Sequence, residues 1–222
     1  MKTRGQAAAL QTDEPEESAG DRSRREILDA AARFLRSHGY HATTLRDIAG
    51  AVGIKAGSIY YHFASKDEIV AAVMNDGVDS VFDAVQAALR ALPKTADPRR
   101  KLEAAIRAHL HALLDRSDYT SAGLKAYSDA PEAVRQAARP HRRRYEAVWD
   151  GLVRELVQAD LTPRGVSREA IRLAVLGLMN WSPEWYRPRR HSIETLAGEF
   201  AAILLRAERM PVRPRPTAAQ RS

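Results

Sequence analysis

The sequence predicts an all-α fold, about nine helices in two parts, on three observations. From residue 22 to 210 apolar residues recur at i, i+3, i+4 and i+7, the period of a helix that buries one face. No stretch of length alternates apolar and polar residues as a half-buried strand would. Helix starts and stops recur along the same span: Ser, Thr or Asp before a periodic run, Gly or Pro after it.

The elements follow in order. Residues 1–21 are polar and acidic and lack an apolar period, which predicts a disordered tail. Ser23 and Glu26 form a capping box, and the helix they open carries Ile27, Leu28, Ala31, Phe34 and Leu35 on one stripe until Gly39. Thr44 caps a second helix with Leu45, Ile48, Ala49 and Val52, which stops at Gly53. A short third helix covers about 56–62. Ser65 and Glu68 form another capping box for a long fourth helix ending before Pro93. Gly77 inside it costs about 1 kcal/mol relative to alanine and marks an expected bend. Asp97 and Pro98 open a fifth helix that runs to about Arg116, and a sixth covers about 119–129. Pro131 restarts the chain and Pro140 interrupts it, so the seventh helix is expected to begin at 139–145 and to hold Tyr145, Val148, Trp149, Leu152, Val153 and Leu156. Ser167 caps the eighth and Ser192 the ninth. Residues 211–222, with three prolines and three arginines, read as a basic tail. The expected division is a helix-turn-helix domain at 22–67 and a ligand-binding and dimerisation domain at 68–210.

Composition narrows the function. The 222 residues include 35 Lys and Arg against 28 Asp and Glu, a net charge of +7, which points to an anionic partner, nucleic acid first. With no cysteine there is no disulfide framework, thiolate metal site or catalytic thiol. No run of about 18 apolar residues and no secretory h-region is present, so no membrane partner and a cytoplasmic location are expected. The GxSxG, HExxH and glycine-rich phosphate-loop signatures are absent. His109 and His111 stand two apart on a helix and face different ways. The expectation is a protein that is not an enzyme and holds no metal or cofactor.

The informative stretch is residues 43–70. Two short helices flank Gly53, Ile54 and Lys55, a three-residue turn with glycine first, which is helix-turn-helix geometry. Leu45, Ile48, Ala49 and Val52 face inward, and Ile54, Ile59 and Phe63 close the same small core. The outward face is then Lys55, Ala56, Gly57, Ser58, Tyr60, Tyr61 and His62. Its slim start allows close approach to a groove, and its hydroxyls and imidazole suit phosphates, sugars and base edges. Tyr60 and Tyr61 are adjacent, so at least one is exposed; His62 suits DNA contact and a solvated surface role equally. Lys55, Lys66 and Thr44 lie at helix starts, where free amides favour a phosphate, and Arg46 adds charge.

This stretch resembles the TetR family of bacterial transcriptional regulators. The resemblance runs through the helix at 24–38, residues 43–49, Val52 and Gly53, residues 57–63 and residues 65–68. It implies a third helix in the major groove, with base contacts on the 56–61 face and backbone contacts from Thr44, Tyr61, His62 and Lys66. A helix-turn-helix of this size reads only a few base pairs, so a homodimer on a palindromic double-stranded operator is expected.

For the second domain, residues 139–145 hold four arginines and 177–191 hold Trp181, Trp185 and Tyr186 followed by three more arginines. An aromatic wall beside fork donors suits an amphipathic anion. The expected ligand residues are Tyr127, Arg142, Arg143, Arg144, Tyr145, Trp149, Asn180, Trp181, Trp185 and Arg187. Asn180 with Trp181, then Trp185 to Pro188, resembles the tail of TetR regulators of fatty-acid and sterol catabolism, which implies an acyl-CoA effector; Arg189 and Arg190 stand where a glycine is usual. The eighth and ninth helices are expected to form the dimer seam through Ile171, Val175, Leu178, Leu196, Phe200 and Ile203. The leading reading is a repressor released from DNA by an acyl-CoA. The alternatives are an efflux-pump regulator sensing apolar drugs and a helical DNA-binding protein with no small effector.

Overall fold

A computed structural model describes residues 18–116 and 118–206. Most of the expected acidic tail and the whole basic tail lie outside the described residues. All nine expected helices are present, with one extra single turn near residue 183, and no strand occurs among the described residues.

Helix α1 (Ala19–Ala42) begins earlier than the capping box at Ser23 implied. Ser18 is the cap: its hydroxyl accepts from the Asp21 amide, and Asp21 suits the positive end of the helix. The tail therefore stops short of residue 21. Gly39, at φ 77, breaks α1 as expected, but the helical path resumes for a last half-turn. Helix α2 (Leu45–Val52) has the predicted Thr44 cap, closed reciprocally by Asp47, and ends on a left-handed Gly53. Helix α3 is only Ala56–Ile59; Tyr60, Tyr61 and His62 continue as tight turns, with the Tyr61 and His62 amides donating to the Ser58 and Ile59 carbonyls.

Helix α4 (Lys66–Arg90) runs unbroken through Gly77. The glycine marks a close crossing rather than a bend: a Cβ there would lie 2.7 Å from the Tyr119 carbonyl oxygen. Helix α5 (Pro98–His111) passes into a π-helical turn, Ala112–Arg116. Helix α6 (Asp118–Tyr127) follows. Helix α7 (Glu132–Gln158) corrects the reading of Pro140, which lies inside it. The carbonyl that Pro140 leaves without a donor is that of Gln136, and both residues are exposed. Helix α8 (Arg168–Asn180), the short α9 (Ser182–Trp185) and α10 (Ile193–Leu204) complete the chain, with Ser167 and Ser192 as the expected caps.

Two apolar clusters hold these helices. One joins α1, α2 and α3 to the first half of α4, to α6 and to the start of α7, through Leu35, Ile48, Ile59, Phe63, Ile69, Val73, Ala122 and Val134. The other joins α5, the rest of α4 and α7, α8 and α10 around Trp149, Ile106, Leu156 and Met179. The first cluster crosses the expected boundary at residue 67, because α4 and α6 supply the floor that three short helices cannot make alone.

Candidate DNA-binding face and ligand cavity

The α2–α3 unit presents one polar face. Thr44, Arg46, Lys55, Gly57 and Ser58 are exposed, Tyr60 is 60% exposed and Tyr61 88%. Ala56 and His62 are half-buried behind them, with His62 edge-on to Tyr61. Phe63 is buried, and Arg24 lies 4.7 Å above its ring. Two large exposed tyrosines on a surface with so slim a helix start are unexplained by packing within the chain.

Lys66 stands apart from this face. Its ammonium donates to the Tyr40 carbonyl at 2.6 Å and lies 4.0 Å over the Tyr40 ring. Burial lowers its pKa, with Asp67 acting against the shift. The Tyr40 hydroxyl donates to Asp67 at 2.5 Å, and burial with Asp67 raises its pKa to about 12. This clasp fixes the end of α1 on the start of α4 and holds the half-buried Lys66 ammonium in place, with one of its three protons spent on the Tyr40 carbonyl.

Helix α6 is tied to α1 at three points. The Tyr119 hydroxyl donates to Asp29 at 2.7 Å, Arg36 pairs with Asp118, and the Lys125 ammonium donates at 3.0 Å to the Arg36 and Ser37 carbonyls. The opposite side of α6 lines a cavity of about 170 Å³. Thr120, Gly123, Leu124 and Tyr127 come from α6. Met74, Val78 and Val81 come from α4, Arg142, Tyr145 and Glu146 from α7, and Leu176 and Asn180 from α8. The guanidinium of Arg142 lies 4.0 Å above the Tyr127 ring and 4.0 Å from Glu146, which Arg172 also approaches at 3.4 Å.

His109, from α5, also lines the cavity, and it was not among the expected site residues. Its Nδ1 lies 2.6 Å from the Tyr145 hydroxyl, and its Nε2 has no hydrogen-bond partner. Full burial lowers its pKa to about 4, with Asn180 acting weakly against this, so the imidazole is neutral. Burial raises the Tyr145 pKa as well. The available sequence signal was a histidine on the apolar stripe of Leu102, Ile106 and Leu110.

Of the expected ligand residues, Tyr127, Arg142, Tyr145 and Asn180 meet at the cavity, and the other six do not. Trp149 is fully buried behind the wall, its ring 6.1 Å from that of Tyr145. Arg143 points outward, one residue and about 100° round α7 from Arg142. Arg144 is drawn to Asp79 at 2.7 Å and over the Phe82 ring. Trp181 is 66% exposed at the end of α8. Trp185 packs on Phe200 and His191. Arg187 is exposed and donates to the Tyr186 carbonyl. Arg143, Arg144 and Arg187 therefore do not join Arg142 at the cavity. The expected dimer stripe is corrected too. Ile171, Val175, Leu196 and Phe200 are buried in their own core and Leu178 packs against it, while Ile203 is 65% exposed. No group of three or more His, Asp or Glu able to hold a metal ion occurs among the described residues, and no described helix is long and apolar enough to cross a membrane.

Residues 27–73 match the family of bacterial regulatory proteins of tetR type, and residues 95–207 match the tetracyclin repressor-like C-terminal domain. The HTH-type transcriptional repressor KstR2 of Mycolicibacterium smegmatis is 30% identical over 204 residues, covering 87% of this chain and 93% of that protein. The HTH-type transcriptional activator FasR of the same organism is 29% identical over 164 residues, covering 72% and 68%. Among solved structures, AibR in complex with isovaleryl coenzyme A and operator DNA superposes with a TM-score of 0.72 at 23% identity, over 82% of this chain and 97% of that one.

Proposed function

The chain belongs to the tetR family of bacterial regulatory proteins, and on that premise we propose that it is a homodimeric transcriptional repressor released from a palindromic operator by an acyl-CoA thioester. It acts by binding and not by catalysis. The observation that carries the reading is the double duty of α6, bonded to α1 on one side and lining the cavity on the other.

The DNA side rests on the exposed face of Thr44, Arg46, Lys55, Gly57, Ser58, Tyr60 and Tyr61. One such unit reads only a few base pairs, so two copies about one helical turn apart supply useful specificity. The dimer seam consists of the side of α8 and α10 that its own core leaves uncovered: Leu173, Ala174, Gly177, Trp181, Ala202 and Ile203. Closed two-fold symmetry then matches the palindrome.

On the ligand side, the cavity is mostly apolar with a guanidinium in its wall, as an acyl chain joined to an anionic carrier requires. Arg139 and Arg143, at i and i+4 along α7, stand outside the cavity beside Arg142 in its wall, and together they offer fork donors to the CoA phosphates. The fold holds isovaleryl coenzyme A in AibR, which says what it can enclose. A cationic drug fits less well, since Glu146, the acid lining the cavity, already faces Arg142 and Arg172. A ligand that prefers one spacing of α6 from α4 shifts α1 and with it the two recognition faces; equal affinity for both spacings would shift nothing.

The test starts with duplexes enriched on the protein from a random pool, then titrates the complexes in a gel shift. Enriched palindromes, released at micromolar CoA thioester but not by free acids or cationic drugs, support the reading. Release by drugs or acids with CoA thioesters inert removes the acyl-CoA part. Failure to enrich any duplex removes the repressor.

A further inference from the structure

A buried imidazole nitrogen without a partner is an anomaly that the packing of this chain does not resolve. Polar atoms sealed from water lose the full value of their hydrogen bonds to it, and native proteins leave few such groups unpaired. Four side chains invite comparison. Asn75 Oδ1, Trp149 Nε1 and Arg172 Nε also lack a hydrogen bond of good geometry, though Arg172 Nε lies 2.9 Å from Asp150, and none of the three residues lines the cavity. His109 does line it. Its proton can be placed. The Tyr145 hydroxyl has one proton, and its hydrogen bond among the described residues is to His109 Nδ1, at 2.6 Å. With the phenol donating to Nδ1, the neutral ring carries its own proton on Nε2. We assign this tautomer because the reverse, Nδ1–H donating to the phenol oxygen, would leave the buried Tyr145 proton without an acceptor; Nε2–H is then the donor left over. Asn180, exposed at the end of α8, is the neighbouring cavity residue whose weak side-chain hydrogen bond raises the ring pKa but lies outside the geometry that would satisfy Nε2.

Resting on the reading of this cavity as the effector site, we propose that His109 determines ligand specificity: Nε2–H donates to an acceptor oxygen on the part of the effector that enters the cavity. The effector is accordingly not a plain hydrocarbon at that depth. The cavity of about 170 Å³ is close to the size that encloses one benzene-sized group, so the enclosed part is short, of about four to six heavy atoms. The apolar part of the wall, Met74, Val78, Val81, Leu124 and Leu176, takes the carbon skeleton. The acceptor has two possible sources in an acyl-CoA: the thioester carbonyl or an oxygen further along the chain.

The experiment measures binding of three CoA derivatives to the full chain by calorimetry. Butyryl-CoA has the thioester carbonyl, 3-hydroxybutyryl-CoA adds a chain oxygen, and the thioether S-butyl-CoA has neither. In the wild type the thioether should bind roughly tenfold or more weakly than the better oxygenated ligand, because it leaves the donor unpaired. Equal loss against both oxygenated ligands identifies the thioester carbonyl; loss against the hydroxylated one alone identifies the chain oxygen. In His109→Phe the three should converge to within about twofold. Nitrogen-15 NMR of imidazole-labelled wild type supplies a readout that needs no variant. It should show a protonated Nε2 and an unprotonated Nδ1, with the Nε2 signal moving on addition of butyryl-CoA, 3-hydroxybutyryl-CoA or cyclohexanone and not of methylcyclohexane. Unchanged discrimination in a folded His109→Phe, absence of discrimination in the wild type, or an Nε2 signal that no oxygenated probe moves overturns the proposal. If no CoA derivative binds but cyclohexanone moves the signal, the acyl-CoA reading fails and the role of His109 stands.

Discussion

Tyr61, 88% exposed, closes the turn after α3 and touches little of its own chain beyond the edge of His62. Truncating it should leave stability within about 0.5 kcal/mol, as for surface side chains in general. Operator affinity should still fall. Urea unfolding beside a gel shift of Tyr61→Ala checks both halves, and wild-type-like DNA binding removes Tyr61 from the contact face. His109 is the opposite case, a residue whose chemistry is sealed inside. Its folded pKa of about 4 lies below the ordinary 6.5 of an unfolded histidine. Between those values the unfolded chain binds a proton that the folded chain refuses. The stability this group contributes is whole above about pH 6.5, is lost as pH falls toward 4, and changes no further below that. The span is worth about 3 kcal/mol. Denaturation at pH 7 and pH 4.5 should show wild type losing about 2 kcal/mol more than His109→Phe; equal losses would mean the ring is not buried neutral. Both residues were visible in the sequence, but only Tyr61 was visible as a functional one. Adjacent tyrosines at the end of so short a helix must expose one ring, whereas the partner of a lone histidine depends on which helix lies across from it.

Gly77 is best argued with the helices it joins. Sequence propensity alone says that Gly77→Ala should stabilise α4 by about 1 kcal/mol. The crossing with α6 reverses the sign, since the new methyl would meet backbone atoms of Tyr119 at 2.7 and 2.9 Å, and backbone cannot rotate aside. Such overpacking costs about 1–3 kcal/mol and should lower Tm by several degrees. The same push parts α6 from α4 beside the cavity, so ligand affinity should change as well. A scanning calorimetry trace with unchanged or higher Tm would mean that the crossing yields without strain. The helices themselves were legible because caps and apolar stripes are local. Thr44, Ser65, Asp97, Ser167 and Ser192 all cap as their spacing implied. Pro140 was misleading because α7 is packed into an apolar cluster on each side of it, Val134 and Ala138 before and Tyr145 and Trp149 after, and such tertiary packing, which outweighs a lost hydrogen bond and a ring clash, is not written in the local pattern.

Across the whole molecule, the two faces of α10 answer different questions. Phe200 is 6% exposed and belongs to the core with Trp149, whereas Ile203 is 65% exposed on the side facing away from it. Phe200→Glu buries a charge and should cost several kcal/mol, enough to unfold much of the chain. Ile203→Glu should leave the fold and Tm of the isolated subunit nearly intact while weakening the dimer. Sedimentation velocity and circular dichroism on the two variants separate these outcomes. A folded dimer from Ile203→Glu at wild-type affinity would move the seam elsewhere.

The sequence by itself determined the all-α class, the helix order and the outward face of α2 and α3. Each depends on residues within one or two turns of each other, where periodicity, caps and glycine turns act directly. Tertiary structure alone decided that Arg142, Tyr127, Tyr145 and Asn180 share a cavity with His109 while Arg144 is drawn off to Asp79 and Arg187 stays apart. It also decided that Ile171 and Val175 face their own core rather than a partner. An apolar stripe states that a helix buries one side, but the choice among neighbours is a competition over the whole chain, settled by which packing leaves fewest voids and fewest unpaired charges.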